Sequence, residues 1–163
     1  MTKLDPINEL KEDHKKVRDL LLGMISALQR RDVQKTLELL IELDKLGGPH
    51  FRFEEESFYP ALEKFFGKEY FKYLIGVHDR VINAAKQIAE VLGKGSITEE
   101  ANGLIGIIRS EILPHPIECE GLTLLAERLQ SSELEVIAKN IEESRRAGVP
   151  LLEWADTIRA KGA

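Results

Sequence analysis

His14, His50, His78 and His115 are the only histidines in the chain, and each interrupts a different line of apolar residues repeating every three or four positions. Imidazole is a ligand for transition metals and a poor occupant of an apolar interior unless its nitrogens find partners. If a core-facing stripe takes three positions in seven, all four land on stripes by chance only about three times in a hundred. A shared metal resolves the cost, because four charged rings cannot coexist in an apolar interior. Glu54, four residues after His50, stands one helical turn away on the same face. Carboxylates with imidazole partners inside a helical bundle suit iron or manganese in pairs, because a carboxylate can bridge two cations and offset their charge.

The stripes also define the elements that must carry these side chains. Asp5 and Pro6 read as N-cap and first turn of a helix through Ile7, Leu10, His14, Val17, Leu21, Met24 and Leu28. A second helix follows Asp32 with Leu37, Leu40, Leu43 and Leu46. Gly47, Gly48 and Pro49 are expected to break or kink it before it resumes through His50, Glu54, Phe58 and Leu62 to Phe66–Gly67. The third is predicted from about Lys68 to Leu92, with His78 between Leu74 and Ile82. A capping-box pattern at Ser96 and Glu99 opens the fourth, whose stripe reads Leu104, Ile108, Ile112, His115, Cys119 and Leu122. Ser132 and Glu135 open a shorter helix with Leu134, Ile137 and Ile141, and Pro150 a last one with Leu151, Trp154 and Ile158. Strand signals are absent. The expected fold is all-α: a single domain over residues 1–163, with an up-down-up-down four-helix bundle over 5–129 and two additional C-terminal helices over 130–163.

Depth along such a bundle can be counted. His14 lies about 17 residues before the first turn and His50 about 19 after it, so the two should be level; His78 and His115 match within about one turn. Across the middle turn, His50 and His78 mismatch by about 9 Å in ideal helices.

With these residues in place, the sequence resembles the hemerythrin-like or HHE cation-binding domains. The resemblance rests on His14 in EDHKKV, on PHFRFEEESFYP with His50 and Glu54, on His78 in GVHDRV, and on His115 to Glu120 in LPHPIECEGL, and it covers about residues 5–129. It implies a four-helix bundle holding a non-heme di-iron centre that binds dioxygen or senses iron, oxygen or nitric oxide. It implies His14, His50, His78 and His115 as ligands and Glu54 as the first bridging carboxylate of two iron ions, with manganese or zinc as alternatives. Two positions depart from the family pattern. Ile82 stands where the oxygen carriers have a further histidine, which leaves coordination positions open and counts against reversible oxygen carriage. In the fourth helix the family's carboxylate comes four or five residues after the histidine, where this chain has Cys119 and then Glu120. Glu120 would point some 140° away on an ideal helix; Pro114 and Pro116 could unwind it locally or introduce a π-type bulge that turns it inward. Glu120 is therefore the preferred ligand and Glu118 the second, with Cys119 read as a small packed residue within reach of the metals.

Composition narrows the rest. A net charge of −5 with interleaved signs offers no basic field for nucleic acid or an anionic membrane. The single cysteine excludes an internal disulfide, and the absence of a long apolar run or signal-like start reads as a soluble, cytoplasmic protein. Glu55 and Glu56 read as a solvated face, and Phe51, Phe53, Phe58 and Tyr59 as packing. The C-terminal helices must cover their apolar faces, as a cap over the bundle end or as a homodimer contact. Besides a binder of a small diatomic ligand, the readings weighed are a di-iron oxidase or peroxidase, enabled by the position Ile82 leaves open, and a metal-poor helical interaction module.

Overall fold

The structure, a computed structural model, describes residues 3–95, 97 and 99–160. The helices are α1 (Pro6–Gln29), α2 (Val33–Phe53), α3 (Tyr59–Leu92), α4 (Ala101–Ile107), α5 (Pro114–Gly121), α6 (Thr123–Ala126), α7 (Ser131–Ala147) and α8 (Leu151–Ala160), with π-helical turns at Glu54–Phe58 and Ile108–Ile112. No strand occurs among the described residues, and no helix there is long and apolar enough to cross a membrane. The Asp5 carboxylate caps α1, accepting from the amides of Ile7 and Asn8 at 3.0 and 3.3 Å, and Asp32 caps α2 at the Lys35 amide. Ser96 lies outside the described residues. At the start of α7, Glu133 takes the place expected of Glu135, accepting from the Gln130 amide at 2.9 Å, while Glu135 pairs with Lys3.

The expected break at Gly47–Pro49 does not occur, since α2 runs through Pro49 to Phe53. Burial of Gly47, Gly48, His50 and Phe51 against neighbouring elements outweighs the lost hydrogen bond. The glycine serves contact rather than a break. A Cβ on Gly48 would lie 1.8 Å from the Val149 carbonyl oxygen, so only glycine lets the link between α7 and α8 pass there. The reversal between second and third bundle helices comes at Gly67, with φ 82° and ψ 167°, a conformation glycine adopts without a Cβ penalty. Without it, Glu54 and His78 would stand about 36 Å apart on one straight helix; they are 2.9 Å apart.

Both π turns close on the residue just before a proline: Tyr59, ahead of Pro60, donates to the Glu54 carbonyl, and Leu113, ahead of Pro114, donates to the Ile108 carbonyl at 2.9 Å. A wider turn costs least where proline has already removed a donor from the ladder. One π turn therefore begins on Glu54, and the other ends three residues before His115.

The core divides into two apolar clusters. One gathers Leu21, Met24, Leu28, Val81, Ile88 and Ile108; the other gathers Leu10, Phe53, Phe58, Leu62, Leu74 and Leu122. On α1, α3 and α5 the histidines fall between members of the two clusters, so the polar side chains form a layer across the bundle. The C-terminal helices lie along α2 instead of capping an end, α7 beside α1 and α8 beside α3. Their apolar residues Ile137, Ile141, Leu151, Trp154 and Ala155 are buried in this chain's own core.

Candidate metal centre

Glu54 is fully buried at the middle of that layer. Its Oε1 faces His50 Nε2 at 3.0 Å and His14 Nε2 at 3.6 Å, and its Oε2 faces His78 Nε2 at 2.9 Å and His115 Nε2 at 3.6 Å. Two donor sets meet metal-site spacing, His14–Glu54–Cys119 and Glu54–His78–His115, with ligand atoms in each within 4.8 Å of one another. The rings pair as the depth count requires: His14 and His50 have centroids 5.0 Å apart, His78 and His115 4.7 Å. The mismatch between His50 and His78 is bridged by Glu54, which sits nearer the Gly67 reversal than His50 does and is closer to level with His78.

Cys119, and not Glu120, belongs to these sets. The Cys119 thiol lies 2.8 Å from Glu54 Oε1, to which it donates. The reason lies in the position of the π turn, which ends before Pro114; from His115 onward α5 is regular. Four residues on, Cys119 returns to the face of His115, and Glu120 lies about 100° further round. Glu120 is only half-buried, and its backbone carbonyl accepts from the Thr123 hydroxyl. Glu118 is exposed and accepts from the Tyr73 hydroxyl at 3.3 Å.

Several contributors escape a reading by stripes. His50 Nδ1 lies 3.0 Å from Asp13 Oδ2, and His78 Nδ1 lies 2.6 Å from Glu55 Oε2. A carboxylate only accepts, so each Nδ1 carries the proton and each Nε2 is turned toward Glu54. Glu55 is thus no part of a solvated face, unlike Glu56, which is partly exposed and pairs with Arg52 at 3.1 Å. The Tyr59 hydroxyl donates to Glu54 Oε2 at 3.2 Å and lies 3.1 Å from His78 Nε2 and 3.5 Å from Cys119. Proximity in sequence was the available signal for all three: Asp13 precedes His14, Glu55 follows Glu54, and Tyr59 follows Glu54 by a little over one turn.

The electrostatics follow from burial around one carboxylate. Burial would raise Glu54, but the His50 charge and the imidazole nitrogens facing both its oxygens hold it well below the usual range. Burial lowers His50, yet the Glu54 charge and the Asp13 hydrogen bond outweigh it and lift the ring to about 10. His78 is raised for the same reason, through hydrogen bonds to Glu54 and Glu55. At His115 burial wins, and its pKa falls to about 4. Burial, reinforced by the Glu54 charge, pushes the Cys119 thiol well up. Both nitrogens of His14 and the Nε2 atoms of His50 and His115 are buried with no hydrogen-bond partner among the described residues. Such groups are costly unless something binds them, and imidazole nitrogens converging on a carboxylate and a thiol, once they give up their protons, are a donor set for a cation. An apolar cavity of about 150 Å³ leads from the half-exposed Leu37 and Ile41 on α2 to His14, His50 and His115.

The family model described as Hemerythrin HHE cation binding domain matches residues 5–114. Its match ends one residue before His115 and leaves α5 to α8 outside, apart from Pro114. Among curated proteins and among solved structures, none matches the chain significantly.

Proposed function

Since the chain belongs to the hemerythrin HHE cation-binding domain family, we propose that the Glu54 cluster holds two iron ions and that the protein binds a small diatomic ligand, dioxygen or nitric oxide, or reports iron status. The observation that carries this reading is the division of donors by one buried carboxylate, Oε1 serving His14, His50 and Cys119, and Oε2 serving His78 and His115. A carboxylate whose two oxygens face separate groups of donors would suit a pair of cations better than one. Bound iron would supply redox-active centres with positions open to a small exogenous ligand.

The chain's own residues set the terms of that binding. Ile82 is buried core and offers no donor, so the His78–His115 half has fewer protein ligands than the other. The Tyr59 hydroxyl stands at that half with a proton available for hydrogen bonding. Phe51 stacks on His78 at 3.8 Å and closes the space beside it. The apolar cavity gives an uncharged ligand a path that a hydrated ion would not favour.

Cys119 favours a second reading. His14, His50, Cys119 and Glu54 Oε1 form an N, N, S, O set, which is a zinc set as much as an iron set. Elemental analysis of protein produced with iron, joined to an X-ray edge scan, separates the two. About two irons per chain with oxo-bridge absorption in air supports the di-iron reading. Zinc at one or both positions regardless of iron supply replaces it, and a metal content below one per chain overturns both.

A further inference from the structure

We propose that α7 and α8 complete the metal centre from outside the family-matched segment, with Arg145 and Arg159 as positioning residues that hold His50 and His78 through Asp13 and Glu55. The inference rests on the cluster being a metal site. Its starting point is that, among the described residues, only His50 and His78 are held at Nδ1, and that both holding carboxylates lead to an arginine of a C-terminal helix.

In the first relay, Asp13 gives one oxygen to each side: Oδ2 accepts from His50 Nδ1 at 3.0 Å and Oδ1 from Arg145 Nη2 at 3.3 Å. In the second, Glu55 Oε2 accepts from His78 Nδ1 at 2.6 Å, and the Arg159 guanidinium grips both Glu55 oxygens at 2.7 and 2.8 Å. The carboxylates are nearly sealed from water, with side chains 3% and 9% exposed. A carboxylate so placed needs a cation or it leaves. Each guanidinium is itself anchored at the surface, Arg145 by Glu9 at 2.6 Å and Arg159 by Asp79 at 2.7 Å, the latter also lying over the Trp154 ring. A third tie secures the π turn that begins on Glu54: Asn140 of α7 accepts from Ser57 at 3.1 Å and donates to Glu56 at 2.9 Å.

The consequence is directional. With Nδ1 protonated against a fixed carboxylate, the ring can turn only Nε2 toward a cation, and the carboxylate makes that nitrogen a better donor. The arginine fixes where the carboxylate sits. The bidentate grip on Glu55 is shorter and more constrained than the single contact on Asp13, so the His78 relay has more to lose.

The test uses the full-length chain and Co(II) added as its chloride, read by competition with a chromophoric chelator and by the visible spectrum of the bound ion. Arg159→Gln is expected to weaken Co(II) binding about 10- to 100-fold and to change the ligand-field bands, Arg145→Gln to do so by less, and Arg159→Lys to restore part of the loss. Lys86→Gln, which cuts the 2.7 Å contact to Asp156 on the same helix α8, is the control for docking alone and should leave affinity unchanged. If Lys86→Gln weakens binding as much as Arg159→Gln, or if neither arginine substitution alters affinity or spectrum, the relay is wrong although the metal site stands. If the unaltered chain binds no Co(II), the metal reading itself fails. Should Arg159→Gln lose its far-ultraviolet helical signal, Arg159→Lys decides, since it keeps the charge and loses only the fork.

Discussion

Two of the four imidazoles are held by carboxylates and two are not, although all four are buried in the same layer of one bundle. His50 and His78 sit between Glu54 and a second carboxylate, and both are biased toward the protonated form. Among the described residues His14 has no hydrogen-bond partner on either nitrogen, and His115 is driven toward the neutral form by burial. The held pair is oriented by the protein before any cation arrives. The other pair has its remaining polar atoms satisfied only by what binds. One carboxylate serves both, which makes Glu54 the point where removing a single side chain tests everything.

The largest expected effect is therefore that of Glu54→Ala, which should abolish loading of both proposed metal positions at once, measured as metal content after dialysis. Retention of one equivalent would separate the halves and break the picture of a shared bridge. The comparison itself is tested by one substitution made twice and read on metal-free protein by urea unfolding. His78→Leu takes from the buried Glu54 and Glu55 the protonated ring that both face, leaving them only His50 and Arg159 respectively, and should cost about 3–5 kcal/mol. His14→Leu removes an unpartnered polar ring for an apolar side chain of similar size and should stay within about 1 kcal/mol of the parent. Equal costs would mean that the two pairs do not differ as described.

A smaller effect concerns pH. Above the ordinary imidazole value of 6.5, the folded metal-free chain keeps protons on His50 and His78 that the unfolded chain releases, so stability falls as pH rises toward about 10. Below 6.5 the unfolded chain protonates the imidazole of His115 while the folded one refuses until about 4, and the lowered carboxyls of Glu54, Asp13 and Glu55 act in the same direction at lower pH. Thermal unfolding of metal-free protein should thus peak near pH 6.5. Bound metal, which needs neutral imidazole and thiolate, should move that peak upward. A metal-free optimum that metal does not move would contradict the assignment of these rings as ligands. The smallest change is that of Cys119→Ser, expected to preserve fold and helical content while removing the near-ultraviolet thiolate band of the Co(II) form. If the band persists, Cys119 is packing only.

The residues that stand at helical period were open to reading from the chain alone. The four histidines, Glu54 and the stripe position of Cys119 follow from a repeat of 3.6, and the bundle follows from the same stripes. Glu120 marks the limit of helical period as a guide. Pro114 and Pro116 predict local bulging, but which side of His115 the extra residue falls on depends on packing, and the π turn lies upstream. Pro49 teaches the same lesson in reverse, because local chemistry argued for a break that burial overrode.

Hydrophobic period and residue type thus determined the all-helical bundle and placed the four histidines and Glu54 on its inward stripes, since these depend on neighbours within a turn or two. The partners of the ligands were decided by tertiary structure. Arg159 reaches Glu55 across 104 positions and Arg145 reaches Asp13 across 132, and no local rule connects such pairs. They meet because α7 and α8 bury their apolar faces along α2, with Gly48 leaving room for the link between them. That burial brings a charge to each buried carboxylate as a consequence of where the helices pack.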